Sequence, residues 1–377
     1  MRTLLAWVGA MAAALILTSA AGAGDGPQPG PGPMRDLTSV EMAKEMSPGW
    51  NLGNTLEALP GETSWGNPRA TQELMDAVKA AGFKSVRIPV SWAAHAGFDD
   101  EISESWMERV TEVVGYARKA GLYVVLNEHW DGGWQQPTAA SQAEVNARLA
   151  KLWTQIAVNF RDYDDHLLFA GTNEIGVQGV FGPPTAENAA VQNSFNQTFV
   201  NAVRATGGNN ARRVLVVQGY NTNIDATVAN AVVPADTVAN RLMMEVHYYD
   251  PYDFTINEKS HIWQWGAIAT DPKATETWAN EAYVDAQFEK MKTHFIDKGV
   301  AVILGEYGAM MRAEYAGQER YRVYWDAYVT RSAYKHGLVP FYWDGGSTGN
   351  HAGGLFNRRT GAQAYPYLVD AIVKMIH

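Results

Sequence analysis

Two stretches set a carboxylate where a buried strand should end. "LLFAGTNEIG" (167–176) places Asn173 and Glu174 after an apolar run, and "AVILGEYG" (301–308) places Glu306 at the close of another. A pair of carboxyl groups at one rim suits hydrolysis of a glycosidic bond: one protonates the departing oxygen, and the other attacks the anomeric carbon or activates water. Carboxyls about 5–5.5 Å apart give retention of configuration, whereas a wider gap admits the water of an inverting reaction. The ends of other apolar runs add Arg87, His129, His247, Tyr249 and Trp343. A lone Glu at a strand end is more often an ion-pair partner, and a lone His more often a core residue, so the set carries the signal. Arg87, at the end of the second run, has two readings: partner of a structural acid, or donor to Glu306 that keeps it ionised. No metal is expected: Glu128 and His129 are neighbours on a strand, point to opposite faces and cannot chelate together.

These residues need elements that deliver them to one rim. The short apolar runs span 49–53, 85–90, 122–130, 167–174, 213–219, 242–249, 301–308 and 338–345. They are near-continuous in hydrophobicity, as strands buried on both faces of a parallel sheet are. Segments of helical period lie between them: one ends at Gly82, another at Gly121, and more follow near 142–160, 190–206, 285–298 and 319–335. Eight alternating units predict a single-domain (β/α)8 TIM barrel, whose reactive groups sit where strands end. No Gly-rich nucleotide fingerprint follows the first run, which argues against an open doubly wound sheet.

Composition narrows the partners. The 377 residues carry a formal charge of −10, which disfavours nucleic acid. There is no cysteine, hence no disulfide, thiolate nucleophile or Cys-bound zinc. The 13 Trp and 17 Tyr are a heavy aromatic load. Trp50, Trp106, Trp153 and Trp325 fall in strand or helix patterns and are expected in the core. Trp65, Trp92, Trp130, Trp134, Trp263 and Trp265 fall in loops or at strand ends, where exposed rings would stack on sugars. Residues 1–23 have the layout of a secretory signal peptide, with a membrane anchor as the alternative. Residues 24–35 read as a Gly/Pro-rich linker or flexible tail, and 36–377 as the catalytic domain. A secreted, monomeric protein without a membrane span in its mature form is expected.

The motifs "GWNLGNTLEA", "ETSWGNP", "AGFKSVRIPVSW", "VVLNEHWDGGW", "AGTNEIG", "EVHYYDPYDF", "VILGEYGA" and "FYWDGG" occur in order from about residue 40 onward. As a set they resemble glycoside hydrolase family 5, in particular its endoglucanase and xyloglucanase subfamily 4. The resemblance implies a retaining β-glycanase without cofactor, acting on β-glucan poly- or oligosaccharide. It places the acid/base on Glu174, the nucleophile on Glu306 and the binder of the sugar 2-hydroxyl on Asn173. Arg87, His129, His247, Tyr249 and Trp343 take the supporting positions. In these roles Glu174 should have a raised pKa, from a partly desolvated site and the charge of Glu306, while Arg87 and Tyr249 keep Glu306 ionised. His247 would tune the proton donor, and Trp343 would floor the subsite of the attacked sugar. Two departures stand out: Ile175 replaces the Pro frequent after the Asn-Glu pair, and Trp130 stands where many relatives have a second His. The reading is a secreted endo-β-1,4-glucanase. Xyloglucan, mixed-linkage β-glucan, mannan and xylan are alternative polymers; a non-catalytic carbohydrate-binding barrel and a metal-dependent hydrolase are competing classes.

Overall fold

The computed structural model describes residues 32–376. Eight strands are present: β1 Gly49–Leu52, β2 Ser85–Ile88, β3 Tyr123–Asn127, β4 Leu167–Ala170, β5 Leu215–Gln218, β6 Leu242–Tyr248, β7 Ala301–Tyr307 and β8 Leu338–Asp344. All neighbours pair in parallel and β1 pairs with β8, so the sheet closes in sequence order. Each expected apolar run contains one of these strands. The helices are α1 Ser39–Met46, α2 Gln72–Ala80, α3 Glu104–Lys119, α4 Gln142–Asn159, α5 Ala186–Ala205, α6 Ile224–Asn230, α7 Tyr252–Thr255, α8 Glu281–His294, α9 Glu319–Lys335 and α10 Pro366–Lys374. Of these, α1, α6, α7 and α10 lie outside the segments of helical period. No helix among the described residues is long and apolar enough to cross a membrane.

Strand residues alternate between two cores. Val125, Leu168, Val216, Met243, Ile303 and Phe341 point into the barrel, while Val86, Val124, Phe169, Met244 and Leu304 face the helix ring. The barrel interior is closed at the strand N-termini by α1, whose Met42, Ala43 and Met46 join the inner cluster. Thr38 caps α1 in a reciprocal box with Glu41, satisfying two free backbone N–H groups. Helix α3 stops where the sequence suggested, at Gly121, whose φ of +78° suits a residue without Cβ.

The expected signal segment, 1–23, lies outside the described residues. The expected linker overlaps them only at its end, and there it is tied down rather than free. Gly32 N–H donates to the Asp162 carbonyl (3.0 Å), and Arg35 pairs with the buried Asp165 (2.6 Å) and with Glu45 (3.0 Å).

Candidate active site

The polar groups gather at the strand C-termini, opposite α1. On β6, Glu245 and His247 are two residues apart and so share the inward face, and Tyr249 follows just beyond the strand. The β6–β7 pairing shifts register between Val246 and His247, which sets His247 level with Glu306. A second shift, between β7 and β8, falls around the same glutamate. Two local irregularities thus aim one carboxylate and one imidazole at each other.

Glu306 accepts hydrogen bonds from Arg87 Nη1 (3.0 Å) and the Tyr249 hydroxyl (3.0 Å), as expected. Arg87 is fully buried; its Nη1 also donates to Asn51 Oδ1 (3.0 Å), and its Nη2 donates to Asn173 Oδ1. With its carbonyl so engaged, the Asn173 amide N–H groups are free to donate to a sugar hydroxyl. Glu174 Oε1 lies 2.7 Å from His247 Nδ1. An oxygen of each catalytic-candidate carboxylate and a ring nitrogen of His247 all fall within 4.8 Å of one another. That spacing belongs to the retaining geometry, since inversion needs about 6.5–9.5 Å.

Glu174 itself has a left-handed backbone, φ +51°, which costs an L-residue roughly 1–2 kcal/mol. Its N–H donates to Gln218 Oε1 (3.0 Å), so the end of β5 holds this conformation in place. Such strain is typical of a group held for chemistry.

The electrostatics depart from the expectation. Burial raises the Glu174 carboxyl, but the hydrogen bond and charge of His247 and the charge of Arg87 outweigh it, and the group lies below its ordinary value. Burial pushes Glu306 up; His247 and Arg87 oppose it, Glu174 adds to it, and the carboxyl stays raised. His247 is lifted to about 9, because Glu306, Glu174 and Glu245 together outweigh its burial. The reason for the reversal is pairing: His247 Nδ1 bonds Glu174 directly at 2.7 Å but stands 3.7 Å from Glu306, which also feels the repulsion of Glu174. In the sugar-free site the proton therefore rests on His247.

His129 is pushed well below its usual pKa by burial and by the charges of Arg87 and His247, so it is neutral. Its Nδ1 accepts from Asn127 Nδ2 (3.1 Å), which leaves Nε2–H to donate. The ring lies parallel to Trp343, centroids 5.9 Å apart. Both border a cavity of about 440 Å³ with Glu174, Tyr249 and Glu306. A second cavity, about 230 Å³, opens on the other side of Glu174 and is lined by Trp130, Gln136, Phe181, Tyr220 and the 175–182 loop. Ile175, in the place of the frequent Pro, is buried at the root of this loop.

The aromatic expectations divide. Trp50, Trp106, Trp153 and Trp325 are core, as read. Trp130 is 54 % exposed beside Glu174. Trp134 is corrected: its Nε1 donates to Glu128 (3.2 Å) and Arg148 stacks over its ring, so it braces the loop rather than offering a sugar platform. Trp92 and Trp265 are also corrected, being fully buried and donating to the carbonyls of Asn127 and Ala279, and Trp263 is stacked on Tyr315. Trp65 is exposed on the β1–α2 loop but borders neither cavity beside the carboxylates. Asn51, Gln218 and Glu245 were missed, although each interrupts an apolar run with a polar side chain.

Among the described residues two sets are close enough to share a cation: Glu174, His247 and Glu306, and Asp164, Asp165 and His166 at the opposite barrel end. In the first set both ring nitrogens of His247 already face carboxylates, Nδ1 facing Glu174 (2.7 Å) and Nε2 facing Glu245 (3.1 Å). In the second, Asp164 is already paired with Arg118 (2.9 Å) and Asp165 with Arg35.

A closed (β/α)8 barrel with two facing carboxylates at its C-terminal rim, and a cavity on either side of Glu174, is an arrangement suited to glycoside hydrolysis. The sequence pattern of cellulases, glycosyl hydrolase family 5, matches residues 51–349, and the chain belongs to that family. It is 40% identical to endoglucanase A of Paenibacillus barcinonensis over 96% of each chain. The xyloglucanase of Bacteroides ovatus, solved with a XXXG heptasaccharide, superposes with TM-score 0.87 at 41% identity, covering 94% of this chain and 80% of that one. A subfamily 4 broad-specificity endoglucanase from Bacteroides salanitronis gives TM-score 0.85 at 43% identity, covering 93% and 96%.

Proposed function

We propose that the protein is a retaining endo-β-1,4-glucanase in which Glu306 is the nucleophile and Glu174 the acid/base. The observation that carries this reading is the pair of carboxylates within 4.8 Å, one gripped by Arg87 and Tyr249 and the other joined to His247. Glu306, held by two donors, attacks the anomeric carbon. Glu174 gives a proton to the departing oxygen, and a glycosyl-enzyme ester forms. Water then attacks that ester while Glu174 takes up its proton, releasing sugar with its original configuration. A sugar chain covering Glu174 removes water from its oxygens and raises its pKa, drawing the proton across from His247. Asn173 donates to the hydroxyl next to the scissile bond, His129 donates from Nε2, and Trp343 floors the subsite. Trp130 flanks the leaving-group side.

Cavities on both sides of Glu174 suit a chain threaded through, hence internal cleavage. The reading extends to a monomer exported by way of the segment 1–23. Xyloglucan is the second polymer, because a relative of matching fold was solved with a XXXG heptasaccharide. Reducing-sugar release should be measured on cellulose derivatives, xyloglucan, mixed-linkage glucan, mannan and xylan, for wild type and Glu306→Ala. Wild type should cut β-1,4-glucans and the variant none of the panel. Undiminished hydrolysis by Glu306→Ala would remove the proposed nucleophile.

A further inference from the structure

A third carboxylate, Glu245, stands behind the reacting pair. It is fully buried, and neither cavity beside Glu174 is lined by it. Its Oε1 lies 2.9 Å from Arg87 Nε and 3.1 Å from His247 Nε2, so one oxygen joins both cations of the site. The fold keeps room for it. A Cβ at Gly305, the residue before Glu306, would sit 2.0 Å from that same oxygen, so the glycine of "LGEYG" is the space the carboxylate occupies. The oxygen of Asn51 and the carbonyl of Gly305 extend the scaffold: Asn51 accepts from Arg87 and donates to Gly305 (2.9 Å).

We propose that Glu245 is a positioning residue for the hydrolysis: through His247 and Arg87 it keeps the proton destined for Glu174 inside the resting site and so sets the pH range of activity. The groups facing His247 are Glu174 from the end of β4, Glu245 on its own strand, Glu306 from β7 and His129 beyond β3, while Arg87 from β2 and Tyr249 beyond β6 reach the same carboxylates. Three are carboxylates. With all three ionised and Arg87 charged, the site is short of positive charge, and an imidazolium at position 247 restores the balance. Its Nδ1 points at Glu174 and its Nε2 at Glu245, so the same ring that lends the proton is fixed from behind. Proton transfer balances simply: Nδ1–H passes to Glu174 Oε1, leaving a neutral imidazole, and the proton taken from water in the second step returns it. Without Glu245 the ring loses a partner and its reason to stay charged, and Arg87 loses the contact that orients it toward Glu306.

The inference rests on Glu174 and Glu306 in their proposed roles. It is tested by the pH dependence of kcat/KM on a soluble β-glucan for wild type, Glu245→Gln and Glu245→Asp, with Glu174→Ala alongside. Removing a charge at this distance should move the alkaline limb of Glu245→Gln down by about one pH unit or more. Its kcat should fall while KM changes little, and Glu245→Asp should lie between. Limbs matching wild type, with only a uniform loss of activity, would show that Glu245 merely fills space. Should Glu245→Gln not fold, the ring-nitrogen NMR spectrum of wild type labelled at histidine decides, with His247→Gln identifying the signal. A doubly protonated His247 at pH 7 is expected, and a neutral one overturns the proposal. If Glu174→Ala cuts polysaccharide as wild type does, the acid/base assignment has failed; if it is inactive while the limbs stay put, only the role of Glu245 has.

Discussion

Arg87 touches four of the groups that matter, Asn51, Asn173, Glu245 and Glu306, and its guanidinium fork is what makes so many contacts possible at once. At this scale the acid/base assignment has its own test. An aryl glucoside with a good leaving group needs little protonation, so Glu174→Ala should lose about 10²–10⁴-fold on polysaccharide but far less on the activated substrate. Equal losses on both would count against the assignment. Glu174 and Glu306 were legible in the sequence because each is a carboxylate at the end of an apolar run. Their proton balance was not legible. It depends on Glu245, Arg87 and His247 meeting within about a hydrogen-bond length, which no spacing along the chain reveals. For the same reason the expected raised pKa of Glu174 gives way, in the open site, to an ion pair.

Strands and loops supply the precision. Every apolar run became a strand because a parallel barrel buries both faces, and that demands continuous hydrophobicity. The register shift at His247 left no trace in the pattern, and neither did the plug formed by α1, whose buried Met42 and Met46 sit in an eight-residue segment ahead of the first strand. The loop aromatics were not legible, since Trp92 and Trp265 look identical in sequence to exposed rings but have backbone carbonyls within reach of their N–H groups. The β1–α2 loop also holds a pH-dependent brace. Glu57 accepts the backbone N–H groups of Asn54 and Thr55, yet burial outweighs these bonds and the nearby Arg358 and lifts its pKa to about 7. A raised folded-state pKa means that its contribution is present below the unfolded value, near 4.5, and is lost as pH rises through 7. Glu57→Gln does not titrate, so its stability relative to wild type should improve by up to about 3 kcal/mol between pH 4.5 and 8. Urea unfolding at a series of pH values checks this, and a difference independent of pH would contradict it.

Taken whole, the molecule is a barrel stoppered at one end by α1 and opened at the other into two cavities that meet at Glu174. The charges at the strand C-termini compensate one another, Arg87 lying 2.9 Å from Glu245 and 3.0 Å from Glu306. The absence of cysteine in the sequence leaves packing and ion pairs to hold the fold, and several of those pairs, Arg118–Asp164 and Arg204–Asp236 among them, are nearly buried. The central claim is that a covalent bond forms to Glu306 during turnover. A 2-deoxy-2-fluoro-cellobioside with an activated leaving group should trap that ester, and mass spectrometry of the digested enzyme should find the sugar on the peptide carrying Glu306. An adduct on the Glu174 peptide, or full inactivation with no adduct at Glu306, would contradict the account.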